Sequence, residues 1–226
     1  MASGSSNRTI RLWDKKGNLL ITLNGHNARI ASLAFSPNSR LLASSSGDET
    51  IKLWRRDRTG RFQSHAEQTL QNGSTAAGVT FSADGQYIAS ANGDGTVHLW
   101  HQEQGKFPDR PTLILKGNQA AATGIAFSPN GQVLASSSVD GSIRLWKRDG
   151  TLLTALVGHQ AGVLSVEFSP NGQTLASAGD DQTVILWDVQ RIVSLDLLQY
   201  GCGWVQDYLK TNVEVQESDR QLCLPQ

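Results

Sequence analysis

A serine, a histidine and an aspartate held within hydrogen-bond reach can make a hydrolytic nucleophile. The 226-residue chain carries that trio twice, as His26, Ser44 and Asp48 and again as His159, Ser177 and Asp181, at identical intervals. A nucleophile needs uniqueness, a cleft and an oxyanion hole. A trio that recurs in register is architecture, so no catalytic residue is expected. His98 and His101 have the H-x-x-H spacing of a metal site, but residues three apart on a strand point to opposite faces. No cysteine lies near them to complete a site, so no metal is expected. No glycine-rich phosphate loop opens a helix, and the 22 glycines are read as turn residues. The expectation is a protein that is not an enzyme and holds no cofactor.

The elements that position these residues come from a repeat. Trp13, Trp54, Trp100, Trp146 and Trp187 are spaced by 41, 46, 46 and 41 residues. The last four each follow a phenylalanine (Phe35, Phe81, Phe127, Phe168) by 19 residues. A constant internal distance marks a constant structural unit. Strand a ends at the Phe-Ser pair and turns through Pro37-Asn38, Asp84-Gly85, Asn130-Gly131 or Asn171-Gly172, which reach positive φ cheaply. Strand b is the Leu-Ala-Ser run. A second tight turn at Asp48, Asp94, Asp140 or Asp181 leads to strand c, which alternates and ends at the tryptophan. Strand d is expected at Leu19–Leu23, around Thr69-Leu70, at Thr112–Leu115, at Leu152–Leu156 and, last, near Ile192–Leu195.

Four short antiparallel strands every ~40–45 residues is the pattern of a β-propeller. With Gly25-His26 and Gly158-His159 before strand a, Trp13-Asp14 and Trp187-Asp188 after strand c, and an aspartate six residues before each of the last four tryptophans, the sequence resembles the WD40 repeat family. The expected fold class is all-β: an incomplete WD40 propeller of one partial blade plus four blades, with a short helical C-terminal tail. The propeller is expected over residues 1–191, in units near 1–13, 14–54, 55–100, 101–146 and 147–187, and the tail over 192–226. Aligned to the repeat, Met1-Ala2-Ser3 falls on Leu42-Ala43-Ser44, so the first unit is expected to lack strand a.

The resemblance implies a hydrogen-bonded chain of His, Ser, Asp and Trp within a blade. Carried over by position, the sets are His26, Ser44, Asp48, Trp54 and His159, Ser177, Asp181, Trp187. The second blade keeps Ser90, Asp94 and Trp100 but has Gln71-Asn72-Gly73 where the Gly-His belongs, read as one residue shorter. The third keeps Ser136, Asp140 and Trp146 with Gly117-Asn118. Both networks are expected to be partial and their blades less rigid.

Length variation lies almost wholly in the c–d loops, which share one face with the a–b loops. Trp54 to Leu70 spans 16 residues and Trp100 to Leu115 spans 15, against 10 in the first and fourth units. These two long loops gather Arg55, Arg56, Arg58, Arg61, Lys106 and Arg110 with Phe62 and Phe107. Arginine with aromatics suits a docking patch for an acidic partner; the plainer alternative is a solvated loop surface.

Lys+Arg and Asp+Glu are both 20, so the formal net charge is zero. That argues against a nucleic-acid coat or a polybasic membrane binder, and the short apolar runs against a membrane span. Two cysteines, Cys202 and Cys223, make no disulfide framework, and the expected compartment is a reducing cytoplasm. Residues 189–226 leave the repeat. There Trp204 with Tyr208 and Val205 with Leu209 are i,i+4 pairs on a short amphipathic helix, and the tail resembles the endings of cyanobacterial WD40 proteins. At ~43 residues per blade a seven-bladed ring needs about 300 residues. The chain is therefore expected to be a portion of a larger WD40 protein, to share a ring with another chain, or to close as a small propeller. Function is expected to be that of a non-enzymatic scaffold or sensor with protein partners, and self-association through open blade edges is possible on this reading.

Overall fold

The computed structural model describes residues 1–194. The tail helix expected around Trp204–Leu209, and both cysteines, lie outside them. Two compact units are distinguished, Met1–Leu186 and one beginning at Trp187.

Strands β1 (Ala2–Gly4), β2 (Ile10–Trp13) and β3 (Leu19–Leu23) form the first antiparallel sheet. Strands β4 (Ile30–Phe35), β5 (Leu41–Ser46), β6 (Thr50–Arg55) and β7 (Gln68–Gln71) form the second. The third holds β8 (Ala76–Phe81), β9 (Tyr87–Asn92), β10 (Val97–His101) and β11 (Leu113–Leu115). The fourth holds β12 (Ala122–Phe127), β13 (Val133–Ser138), β14 (Ser142–Lys147) and β15 (Leu152–Val157). The fifth has β16 (Val163–Phe168), β17 (Thr174–Gly179) and β18 (Val184–Asp188). Each sheet is an up-and-down meander, its strands joined by short hairpin turns except for the long loops after β6 and β10.

The a–b turn shows how local sequence sets the unit. The Ser36 hydroxyl donates to Asn38 Oδ1 at 2.8 Å and accepts from the Leu41 amide at 2.9 Å. The same pair of bonds recurs at Ser82, Ser128 and Ser169. The turn needs a left-handed residue. Gly85, Gly131 and Gly172 supply it at φ of 69°, 66° and 71°, while Ser39 takes φ 56° at the matching place in the first turn.

The inner strands β4, β8, β12 and β16 stack in succession, and β1 lies against β4 as β5 lies against β8. The first sheet thus holds a short strand at the strand-b position, β1, paired to β2 with Ser3 opposite Arg11. Apolar cores lie between successive sheets. Ile10, Leu12 and Leu23 pack on Ile30, Leu42 and Trp54. Ile51, Leu53 and Leu70 pack on Val79, Phe81 and Trp100, and Val97, Leu99 and Leu115 on Ile125, Phe127 and Trp146.

The fifth sheet differs. Val184 and Leu186 are 67% and 70% exposed, although their equivalents Ile51 and Leu53, Val97 and Leu99, and Ile143 and Leu145 are all buried. Among the described residues no following sheet covers that strand face. Where a strand was expected near Ile192–Leu195, the described residues 192–194 are the end of a helix, α1 (Val189–Ser194). Asp188 Oδ1 accepts from the Arg191 amide at 3.0 Å, an N-cap that ends β18 and starts the helix. Among the described residues, no helix is long and apolar enough to cross a membrane.

Candidate functional site

In the second sheet the imidazole of His26 enters from the loop before β4, Ser44 sits on β5, Asp48 in the β5–β6 turn, and Trp54 ends β6. His26 Nδ1 is 2.8 Å from Asp48 Oδ2, and Nε2 is 2.7 Å from Ser44 Oγ. The Trp54 indole donates to Ser44 Oγ at 2.9 Å. Asp48 also accepts from the Asn27 amide at 2.8 Å and the Thr50 hydroxyl at 2.7 Å. Burial pushes the Asp48 carboxyl up, but the bonds from Thr50, Asn27 and His26 outweigh it and hold it at about 2. Burial holds the His26 pKa below its ordinary value despite the aspartate.

These distances are those of a hydrolase triad, and the environment is not. Ser44 is fully buried, and its oxygen is already shared between the imidazole and the indole. With no access and no free lone pair directed at a cleft, it cannot attack a substrate. In the fifth sheet His159 Nδ1 is 2.8 Å from Asp181 Oδ2 and Nε2 is 2.7 Å from Ser177 Oγ. Hydrogen bonds from Thr183, Gln160 and His159 hold the Asp181 carboxyl well below the carboxylate range.

The middle repeats were expected to hold partial networks; the structure shows substitute ones. Asn72 stands 18 residues before Ser90, as His26 stands 18 before Ser44, so nothing is shortened there. Ser90 donates toward the side-chain oxygens of Asn72 and Asn92 at 3.0 Å each, and Asn72 Nδ2 donates to Asn92 at 2.8 Å. The missing imidazole comes from strand c instead: His98 Nδ1 is 3.1 Å from Asn72 Oδ1 and Nε2 is 3.0 Å from Thr96 Oγ1. Asp94 accepts from the Thr96 amide and hydroxyl and interacts electrostatically with His98, and Trp100 Nε1, fully buried, has no hydrogen-bond partner among the described residues.

In the fourth sheet Arg144, at the same strand-c position as His98, donates from Nη1 to Asn118 Oδ1 at 2.9 Å, to Asp140 Oδ2 at 3.0 Å and to the Ser142 hydroxyl. Asn118 Nδ2 reaches the Gly95 carbonyl at 2.8 Å, and Trp146 donates to Ser136 at 3.0 Å as Trp54 does to Ser44. Burial opposes ionisation of Asp140, but Ser142, the Gln119 amide and Arg144 hold its carboxyl at about 2. Sequence reasoning missed Asn92, His98 and Arg144. For His98 and Arg144 the signal was present, as a polar residue two before the tryptophan; for Asn92 it was not.

Four stretches of the chain, residues 17–55, 62–101, 109–147 and 150–188, match the family model described as WD domain, G-beta repeat. The chain belongs to the WD40 repeat family. Part of the chain resembles curated relatives over short stretches. Nuclear distribution protein nudF 2 of Aspergillus clavatus is 41% identical over 61 residues, and nuclear distribution protein PAC1 of Tuber melanosporum 48% over 61 residues. Each alignment covers 27% of this chain and 14% of the relative.

The long WD40 loops are ordered. Arg56 and Phe62 form an isolated antiparallel bridge, and Asp57 Oδ1 accepts from the amides of Thr59 and Arg61 at 2.8 and 3.0 Å. Arg55 is ion-paired with Glu67. Arg56, Arg58, Arg61, Lys106 and Arg110 are exposed. Phe62 and Phe107 are not: each turns inward onto its own repeat's strand-a phenylalanine, with ring centroids 6.1 Å from Phe35 and 6.3 Å from Phe81. The loop surface therefore lacks the two aromatic anchors expected of a docking patch, because burying those rings against the sheets removes more apolar area from water than exposing them would. The Arg56 guanidinium covers the Phe62 ring at 4.9 Å. His98 and His101 part company, since His101 stacks on Tyr87 at 4.6 Å. Among the described residues no group of three or more His, Cys, Asp or Glu is placed to hold a metal.

Proposed function

We propose that this WD40 chain is a non-enzymatic protein-interaction module whose docking face carries the long loops after β6 and β10. One observation supports it most. The Ser-His-Asp sets are buried and bonded within their own sheets, while five basic side chains of the two long loops stand exposed. Exposed guanidinium groups steer and orient an acidic protein surface. The relatives are named as nuclear distribution proteins, not as enzymes.

A second reading, a portion of a larger WD40 protein of the kind with cyanobacterial-type propellers, rests on the bare Val184 and Leu186 face. A further sheet, from the same protein or a second copy, would cover it as sheets cover Ile51 and Leu53.

The test is proximity labelling from the tagged chain beside a variant carrying Arg55→Glu, Arg56→Glu and Arg58→Glu. A set of neighbours lost from the variant supports the loop face. An unchanged set moves the interface elsewhere.

A further inference from the structure

A groove of ≈ 560 Å³ runs between the first and second sheets on the loop face, lined by Leu12, Trp13, Leu19, Ile21, Phe35 and Phe62, with Arg56 and Arg61 at its rim. We infer that it docks an extended acidic peptide, with one apolar side chain seated between β3 and Phe35 and flanking carboxylates on the two arginines. This rests on the interaction-module reading and names its site.

Three features single the groove out. Phe35 is 39% exposed, whereas its equivalents Phe81, Phe127 and Phe168 are buried. Leu19 and Leu20 are exposed as well, so the floor is an apolar patch open to water. The equivalent cleft between the second and third sheets, of ≈ 460 Å³, is lined instead by Arg55, Glu67, Gln68, Lys106 and Asp109 and crossed by a polar tie: Gln68 Nε2 donates to the Phe107 carbonyl and approaches Asp109 Oδ1 at 3.3 Å, holding the long loop to β7. Ile21 takes the Gln68 position, opposite Leu12 as Gln68 is opposite Leu53, and has no amide to make that tie. The first groove thus has an apolar floor where the second is lined largely by charged and polar side chains.

The rim's positive charge is also less neutralised than in the second cleft, although Arg61, after the Thr59 hydroxyl, helps to lower the pKa of Asp57. In the second cleft Arg55 is neutralised by Glu67. Among the described residues neither Arg56 nor Arg61 is in an ion pair. The nearest acidic residues in sequence are consumed by turns: Asp57 holds the Thr59 and Arg61 amides, and Asp14 holds the Lys16 and Asn18 amides. The β2–β3 turn adds Lys15 and Lys16, both exposed. A cationic rim over an apolar floor complements a peptide that carries carboxylates around an apolar anchor.

The probe is a fluorescein-labelled peptide with a central leucine flanked by glutamates, titrated by anisotropy at low and moderate salt. Binding is expected, weakened by salt. It is expected to be lost when the leucine becomes serine or the glutamates become lysine. Arg56→Gln with Arg61→Gln, and separately Leu20→Asp on the open floor, should each weaken it about tenfold. Lys106→Gln with Arg110→Gln should leave it unchanged, and thermal melts establish that every variant is folded. No binding at up to about 1 mM peptide, or binding indifferent to the leucine or to both arginines, overturns the groove. If the lost affinity instead follows Lys106 and Arg110, the groove fails while the loop-face reading stands. If labelling is also blind to the loop arginines, that reading fails too.

Discussion

His98 Nδ1 sits 3.1 Å from Asn72 Oδ1, a contact between residues 26 positions apart that returns an imidazole to a repeat with none at its usual place. The fourth sheet makes the same move with Arg144 and Asn118, also 26 apart. In both, an asparagine replaces the histidine before strand a, and strand c supplies the larger polar group. The demand being met is constant: buried turn and strand-b polar atoms must find partners.

His26→Ala removes the link between Ser44 and Asp48 and leaves both partly unsatisfied. It should cost about 1–3 kcal/mol, the scale for orphaning a buried polar group. Urea denaturation of the variant beside the parent measures it, and an unchanged midpoint and slope would refute a structural role for that imidazole.

Arg144→Met should cost a similar amount, about 1–3 kcal/mol, because Asp140 and Asn118 lose their shared donor. Restoring the pattern of the second sheet with Asn118→His and Arg144→Lys together should recover much of the loss. Failure of the double variant to exceed Arg144→Met in stability would show that the two arrangements are not interchangeable.

Acid should weaken the fold in two steps. His26 and His98 have folded pKa values below the ordinary 6.5 because burial disfavours the imidazolium. The unfolded chain therefore takes the protons first, so this stability is complete above about pH 6.5 and declines as pH falls below it. Asp48, Asp84 and Asp140, held at about 2 against an ordinary 3.8, add stability above that value that disappears between there and about pH 2. Urea melts from about pH 8 to about pH 3 should show both declines. A stability that is flat, or rises, between about pH 7 and about pH 5 would contradict the histidine step.

Val184 and Leu186 are bare where their equivalents are buried. If the face is covered by another sheet in a complex, Val184→Lys with Leu186→Glu should lower self-association without lowering the melting temperature, since neither side chain is in the core. Light scattering behind a sizing column reads the mass. Equal mass and equal concentration dependence in both proteins would show that this face does not associate.

Much of this was written locally. The 19-residue phenylalanine-to-tryptophan interval, the Ser-Asn/Asp-Gly turns and the alternation of strand c determined the unit, because short hairpins are decided by residues that are neighbours in sequence. The two complete His-Ser-Asp sets were legible for the same reason: their spacing within a meander is constant. Packing decided the rest. Whether Asn72 was a gap or half of a pair depended on His98 crossing from another strand. Phe62 and Phe107 read as exposed anchors until the sheets beneath them offered apolar surface. Residues 189–194 read as the approach to a strand until Asp188 capped a helix. The sequence alone determined the strands and turns of the repeating unit; only the tertiary structure decided which of their residues a neighbouring sheet covers and which partner each polar group meets, because burial and hydrogen-bond satisfaction belong to pairs of surfaces and not to a single stretch of chain.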